Sequence, residues 1–227
     1  LIYVDALIYT ADRIILSEKI DIYSNADLCM EAIKYKGSLL RHVKEESFEK
    51  KVFQDICVEA VKQNGNALQY IKNQSSDICT EAVKQDGDAL RYVNIQTLDI
   101  CVEAVKQNPW ALEHVKIQNL ITLNEYYIVA FEAVKKKGVV LKYITEQVCK
   151  LSSNMYSNIA IAAVRQDGKA LQIVNEQIAW INNQTHVKVM YPVIALEAVK
   201  QKGTAILYVP LEDRTNEMVS IAINQDD

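Results

Sequence analysis

Two columns of opposite charge run through this chain, and they are its most conspicuous chemistry. Glutamates recur at Glu31, Glu59, Glu81, Glu103, Glu132 and Glu197. In step with them run cations at Lys34, Lys62, Lys84, Lys106, Lys135 and Lys200, with Arg165 in the same register. A ladder of ammonium groups could track a phosphate backbone, and a row of carboxylates could hold cations. Either use needs one sign to stand clear of the other, and a nucleic-acid groove would interleave aromatics with the basic residues. A separation of three instead places each Glu beside its Lys on one helical face, where such pairs contribute about 0.2–0.5 kcal/mol. The expected role is a solvated ladder, paired within repeats and between neighbours.

Cysteine invites a second chemistry. Cys29, Cys57, Cys79 and Cys101 each stand two residues before the Glu, and in later copies that place holds Ala130, Ala160 and Ala195. A position that takes Cys or Ala is a small packing position, so reduced core thiols are expected. No Cys-x-x-Cys or Cys/His spacing suits a metal. A third column holds Tyr70, Tyr92, Tyr143 and Tyr208, with His42, His114 and Ile173 in the same slot. A slot shared by Tyr, His and Ile reads as half-buried packing rather than a platform for bases. His186 lies in a spacer. No nucleophile motif, Gly-rich phosphate loop or paired-carboxylate arrangement occurs. The chain is therefore read as a non-enzyme, with no catalytic residue, cofactor or metal site.

The elements that position these columns come from one phrase. Glu-Ala-Val-Lys-Gln-Asn-Gly spans 59–65, returns as EAVKQDG at 81–87, and as EAVKQNP at 103–109. Looser copies end at Gly37, Gly138, Gly168 and Gly203. The turn positions are spaced 28, 22, 22, 29, 30 and 35 residues apart, so the minimal unit is 22 residues with insertions before some units. Apolar residues at Ile56, Cys57, Ala60 and Val61 form one stripe of an α-helix. A shorter helix follows, from Asn66 to Lys72, with Ala67, Leu68 and Ile71 apolar. Both lie below the roughly 12–15 residues at which helices persist alone in water. They must stack, as solenoid repeats do. The fold expected is an all-α solenoid of about seven helical hairpins, one array over residues 1–227. Half-repeats stand at both ends (Leu1–Val4 and the stretch from Val219), as in a segment of a longer chain.

Local signals refine this. Asp27, Asp55, Asp77, Asp99 and Asn158 stand where an N-cap is wanted. Gly65, Gly87, Gly138 and Gly168 stand where the first helix stops, so positive φ is expected there. Pro109 cannot adopt positive φ, so the helix ending near Gln107 should close differently and the second helix should start on Pro109. Thr122 to Glu125 has capping-box form, which extends the helix ending at Lys137 toward its N-terminus. Pro192 suits a first helical turn. Residues 5–26 should carry a helix of their own, and spacers 44–54 and 145–157 are loops or extra turns. Trp110, just after Pro109, is expected to cap the groove between units.

The phrase E-A-V-K-Q-N-G-x-A-L-x-Y-V, as it stands at Glu59–Ile71, Glu81–Val93 and Glu103–Val115, resembles a short helical repeat family of unknown function. That family is abundant in Mimivirus-like giant viruses of amoebae and occurs in some bacteria and protists. The likeness weakens at Glu132–Ile144, Ala162–Val174 and Glu197–Val209. It implies architecture and a viral source but carries no catalytic residue. Abundant Lys, Ile, Asn and Tyr match the usage of an AT-rich genome.

Half the residues are apolar, a quarter are charged, and the net charge is −4. That balance disfavours a nucleic-acid partner. No apolar run reaches membrane-spanning length, and the N-terminus does not read as a signal peptide. The expected function is a protein–protein interaction scaffold. Its partner-binding residues are the variable ones just after the turn: Asn66, Asp88, Trp110, Val139, Lys169 and Thr204. A virion structural or packaging protein that associates with itself is the alternative, and nucleic-acid binding through the Lys column ranks third. The setting expected is the host cytoplasm or the virion, reducing and not secreted.

Overall fold

The structure, a computed structural model, describes residues 25–117, 122–144, 151–184 and 190–225. The chain divides into two compact units, Leu1–Asn94 and Ile95–Asp227. In the first, α1 (Ala26–Tyr35), α2 (Lys50–Gln63) and α3 (Ser76–Gln85) alternate with 3-10 helices Gly37–His42, Gly65–Tyr70 and Gly87–Tyr92. The α-helices pack in sequence as one layer, and the 3-10 helices pack in sequence as a second.

The second unit repeats the plan. Helices α4 (Leu98–Gln107) and α5 (Leu123–Lys136) are followed by 3-10 helices Pro109–His114 and Gly138–Ile144. Then come α6 (Ser153–Gln166), α7 (Ala170–Gln184), α8 (Tyr191–Gln201), the 3-10 helix Gly203–Tyr208 and α9 (Asn216–Gln225). One layer runs α4, α5, α6, α8, α9; in the other, α7 sits between the 3-10 helices at 138–144 and 203–208. The described residues are thus all-α, in tandem helical repeats. None of their helices is long and apolar enough to cross a membrane.

The stripe read from the sequence is the core. Ile56, Cys57, Ala60 and Val61 are buried in α2, and the equivalent four are buried in α3 and in α4. The second half of each repeat adds Ala67 and Leu68, Ala89 and Leu90, or Ala111 and Leu112. This second element is 3-10 rather than α in most repeats. Its bonds are of i→i+3 type, Ala67 N–H to the Asn64 carbonyl at 2.8 Å and Ile71 N–H to Leu68 at 3.0 Å. Three residues per turn stack Leu68 beneath Ile71, so a two-turn segment presents one unbroken apolar edge.

The helix starts differ from expectation. Asn25, Ser75 and Thr97 cap α1, α3 and α4, two residues before the aspartates. Ser75 Oγ accepts from Ile78 N–H at 3.3 Å, and Thr97 Oγ1 from Ile100 N–H at 3.5 Å. Asp27, Asp77 and Asp99 lie inside the first turn, where a carboxylate faces the positive end of the helix dipole. Asp55 and Asn158 lie within α2 and α6, because spacer residues 50–54 and 153–157 extend both helices backward. The Thr122–Glu125 capping box forms as expected, and Pro192 occupies the first turn of α8. The helix expected within 5–26 falls almost wholly outside the described residues, as does the opening half-repeat. At the other end, the stretch from Val219 forms the body of α9.

The helix ends also differ. Among the described residues no glycine has positive φ. Each helix instead leaves through one extended residue before the glycine, such as Asn64 at φ −149°, ψ 104°. Pro109 changes nothing in that closure: Asn108 has φ −135°, ψ 109°, and its N–H reaches the Ala104 carbonyl at 2.8 Å, as Asn64 N–H reaches Ala60. Pro109 does start its 3-10 helix, but so does the glycine elsewhere. The residue before the turn does two jobs. It ends the α-helix, and as Asn or Asp its side chain caps the 3-10 helix. Asn64, Asp86 and Asn108 accept in this way from the N–H groups of Asn66, Asp88 and Trp110 at 3.0–3.1 Å, and Asp167 accepts likewise from Lys169 N–H at 3.0 Å in the turn before α7.

Candidate interaction surface

The repeated positions are occupied by structural bonds. The glycines are required by close approach. A Cβ on Gly37 would stand 2.3 Å from the Ala60 carbonyl oxygen of the next repeat, on Gly65 2.4 Å from that of Ala82, and on Gly138 2.3 Å from that of Ala163. Over this gap runs a staple. Gly37, Gly65, Gly138 and Gly168 donate their N–H groups at 2.6 Å to Oε1 of Gln63, Gln85, Gln166 and Gln201, each in the following repeat. Gly203 donates likewise to Gln225. Nε2 of Gln63 returns a bond to the Tyr35 carbonyl at 3.2 Å, and that of Gln225 to the Lys200 carbonyl at 3.0 Å. The glutamine of the phrase is therefore the bond between repeats. Sequence reading left it without a role, although its recurrence was visible.

A second glutamine clamps the far side. Gln74 Oε1 accepts from Asn94 N–H at 2.9 Å while its Nε2 donates to the Tyr92 carbonyl at 2.8 Å. Gln96 does the same one repeat on, accepting from Lys116 N–H at 2.7 Å and donating to the His114 carbonyl at 2.9 Å. The column thiols Cys79 and Cys101 donate weakly to these two glutamines, at 3.6 and 3.8 Å. In the α7 repeat the buried Gln177 takes over, accepting from Tyr156 Oη at 3.0 Å and donating to the Leu141 carbonyl at 2.9 Å.

The charged columns pair as expected. Lys34, Lys84, Lys135 and Lys200 lie 3.0, 2.9, 3.2 and 3.5 Å from Glu31, Glu81, Glu132 and Glu197. Arg165 reaches Glu197 of the next repeat at 2.7 Å. The hydrogen bond from Arg165 holds the Glu197 carboxyl below its ordinary range, and the bond to Glu31 holds the Lys34 ammonium above its own. The Lys column does not stand clear of the Glu column. All these pairs are at least partly exposed, where such pairs are worth little.

Cys29, Cys57, Cys79 and Cys101 are free and buried. Burial pushes their thiols up to about 11, 12, 11 and 12 in that order. The thiolate is the reactive form, so none should be alkylated by iodoacetamide at pH 8 until the chain unfolds, as mass spectrometry of the native and urea-unfolded protein would show. The sign of the pH effect follows. Below about pH 8.5 the thiols are neutral in both states. Above it the unfolded chain ionises first, so stability falls as pH rises toward 11.

The six residues singled out after the turns occupy equivalent places in their repeats. Asn66 and Asp88 are half-buried, on adjacent 3-10 helices of the first unit. Asn66 is partly structural, since its Nδ2 donates to Asp86 Oδ2 at 2.6 Å. In the second unit Val139 is half-buried, while Trp110, Lys169 and Thr204 are exposed. Trp110 meets Tyr143 of the next repeat edge-to-face, ring centres 6.0 Å apart, so it spans the groove as expected. Among the described residues no three His, Cys, Asp or Glu side chains gather as metal ligands.

Comparison with known families agrees with the repeat. A domain of unknown function (DUF4116) matches residues 25–75, 54–98 and 75–120, three overlapping windows over consecutive repeats. Comparisons with curated proteins and with solved structures find no match.

Proposed function

We propose that this chain is a non-enzymatic repeat scaffold that binds a protein partner through the residues just after the turns. What carries this reading is a division of labour within the repeat. In the phrase, Ala and Val are buried, Glu and Lys pair, Gln staples and Gly allows the approach. In the next position the side chain is free to vary, and Trp110, Lys169 and Thr204 offer aromatic, cationic and hydroxyl groups to solvent. Repeat arrays recognise partners through such decoration of a constant frame. The neighbour pairing of Lys with Glu counts against a phosphate groove. The residue usage and the buried free thiols suit a giant-virus protein working in host cytoplasm or virion.

The test compares the wild-type chain with a triple variant, Trp110→Ser, Lys169→Glu and Thr204→Arg, as baits in extracts of the source cells. A control bait carries Glu103→Gln and Lys106→Gln. The expected result is one stoichiometric protein held by wild type and control and lost by the triple variant. Equal recovery on all three baits overturns the proposed surface. Recovery of the chain alone, with a sedimentation mass of a multimer, replaces the reading by the structural or packaging one.

A further inference from the structure

Three of the four junctions between successive α-helices of the first layer in Ile95–Asp227 use the neutral amide staple. Gln166, Gln201 and Gln225 accept from Gly138, Gly168 and Gly203. The junction between α4 and α5 cannot. Pro109 stands in the glycine place and has no N–H. In the same junction the residue in the glutamine register of α5 is Lys136. The two exchanges fit each other. Glutamine opposite Pro109 would lose its donor, and lysine opposite a glycine would leave that N–H without an acceptor. Lys136 Nζ instead donates to the Lys106 carbonyl in the last turn of α4. A cation there meets the negative end of a helix dipole.

The other layer of this junction is also held by a lysine. Lys142 Nζ lies 5.1 Å from the centre of the Trp110 ring and 4.8 Å from that of Tyr143. These two rings belong to successive repeats and touch edge-to-face. A cation over both is a cation–π bridge across the junction. Beyond the apolar core, then, a lysine charge takes part on each layer here, where the other three junctions of this unit carry the uncharged amide staple.

We infer that the α4–α5 junction is a charge-held joint, a conformational device that loosens when lysine charge is screened or neutralised while the stapled junctions stay shut. Neutralising Lys136, by substitution or by acylation of its amine, acts on this junction alone.

Hydrogen exchange read by mass spectrometry tests it in the full chain, with segment 203–208, the 3-10 helix stapled by Gln225, as the internal standard. In wild type, raising salt should speed exchange in segment 108–114 about two- to five-fold, the size of a helix-terminal charge effect, and leave 203–208 unchanged. Lys136→Met should show the faster exchange at low salt and a smaller salt response, the remainder belonging to Lys142. The double variant Pro109→Gly, Lys136→Gln installs the staple, so it should restore protection and reduce the salt response to the same remainder. Intact protection at 203–208 shows that each variant is folded. Wild-type exchange and salt response in Lys136→Met, or an equal salt response at 203–208, would overturn the joint.

Discussion

Gly138→Ala should destabilise the unit that contains it by about 2–4 kcal/mol, while Gly203→Ala should cost under about 1 kcal/mol. Both glycines open a 3-10 helix and both donate to a glutamine. What differs is the space for a methyl group. At Gly138 the added Cβ would sit 2.3 Å from the Ala163 oxygen and 3.1 Å from its carbonyl carbon, both backbone atoms of α6. Backbone cannot rotate away, so α5 and α6 must part. That strains the core between them and stretches the Gly138–Gln166 bond. At Gly203 the nearest atom is the Ala222 oxygen at 3.1 Å, a gap that a small shift of α9 can widen. Gly168, at 2.8 Å from the Ala198 oxygen, should fall between. Urea unfolding of the three variants gives the order. Equal costs at Gly138 and Gly203 would rule out close approach as the reason for glycine.

This result bears on how much of the molecule was legible. Periodicity placed the helices and the core, because a stripe at Ile56, Cys57, Ala60 and Val61 has one geometric meaning. Paired charges three apart were equally direct. The turn was misread because glycine after a helix has two physical uses, positive φ or room for another backbone. A single repeat cannot tell them apart. The second use depends on a carbonyl some 20 residues away, which no local pattern shows. The helix starts were misplaced for a related reason. Asp77 and Asp99 attract the eye, yet Ser75 and Thr97 make the caps, and the aspartates serve the dipole from within the first turn. The signal that could have exposed the staple was a paired departure. Pro109 loses the donor and Lys136 loses the acceptor, in the same junction. The surface residues beyond Trp110 stayed opaque, since nothing in the spacing of Asn66 or Thr204 separates a contact from an unconstrained side chain.

The clamp glutamines were missed outright, and they set the second large effect. Gln96→Leu should lower stability by about 2–3 kcal/mol. Gln96 is 1% exposed, and its amide satisfies both the His114 carbonyl and the Lys116 N–H. Leucine fills similar space but leaves both backbone groups unbonded, and each orphan costs about 1–3 kcal/mol when buried. Gln85→Leu removes the acceptor of the Gly65 N–H group from a side chain that lies exposed at the end of α3. Water can replace a partner there, so its cost should stay near 1 kcal/mol. If Gln96→Leu unfolds at the wild-type urea midpoint, apolar packing alone sets the path of residues 114–116. If it unfolds as far below wild type as expected, and Gln85→Leu only slightly, then the buried glutamine aligns one repeat on the next. Cys101 supports that alignment, since its small side chain sits beneath the amide with Sγ 3.8 Å from Gln96 Oε1.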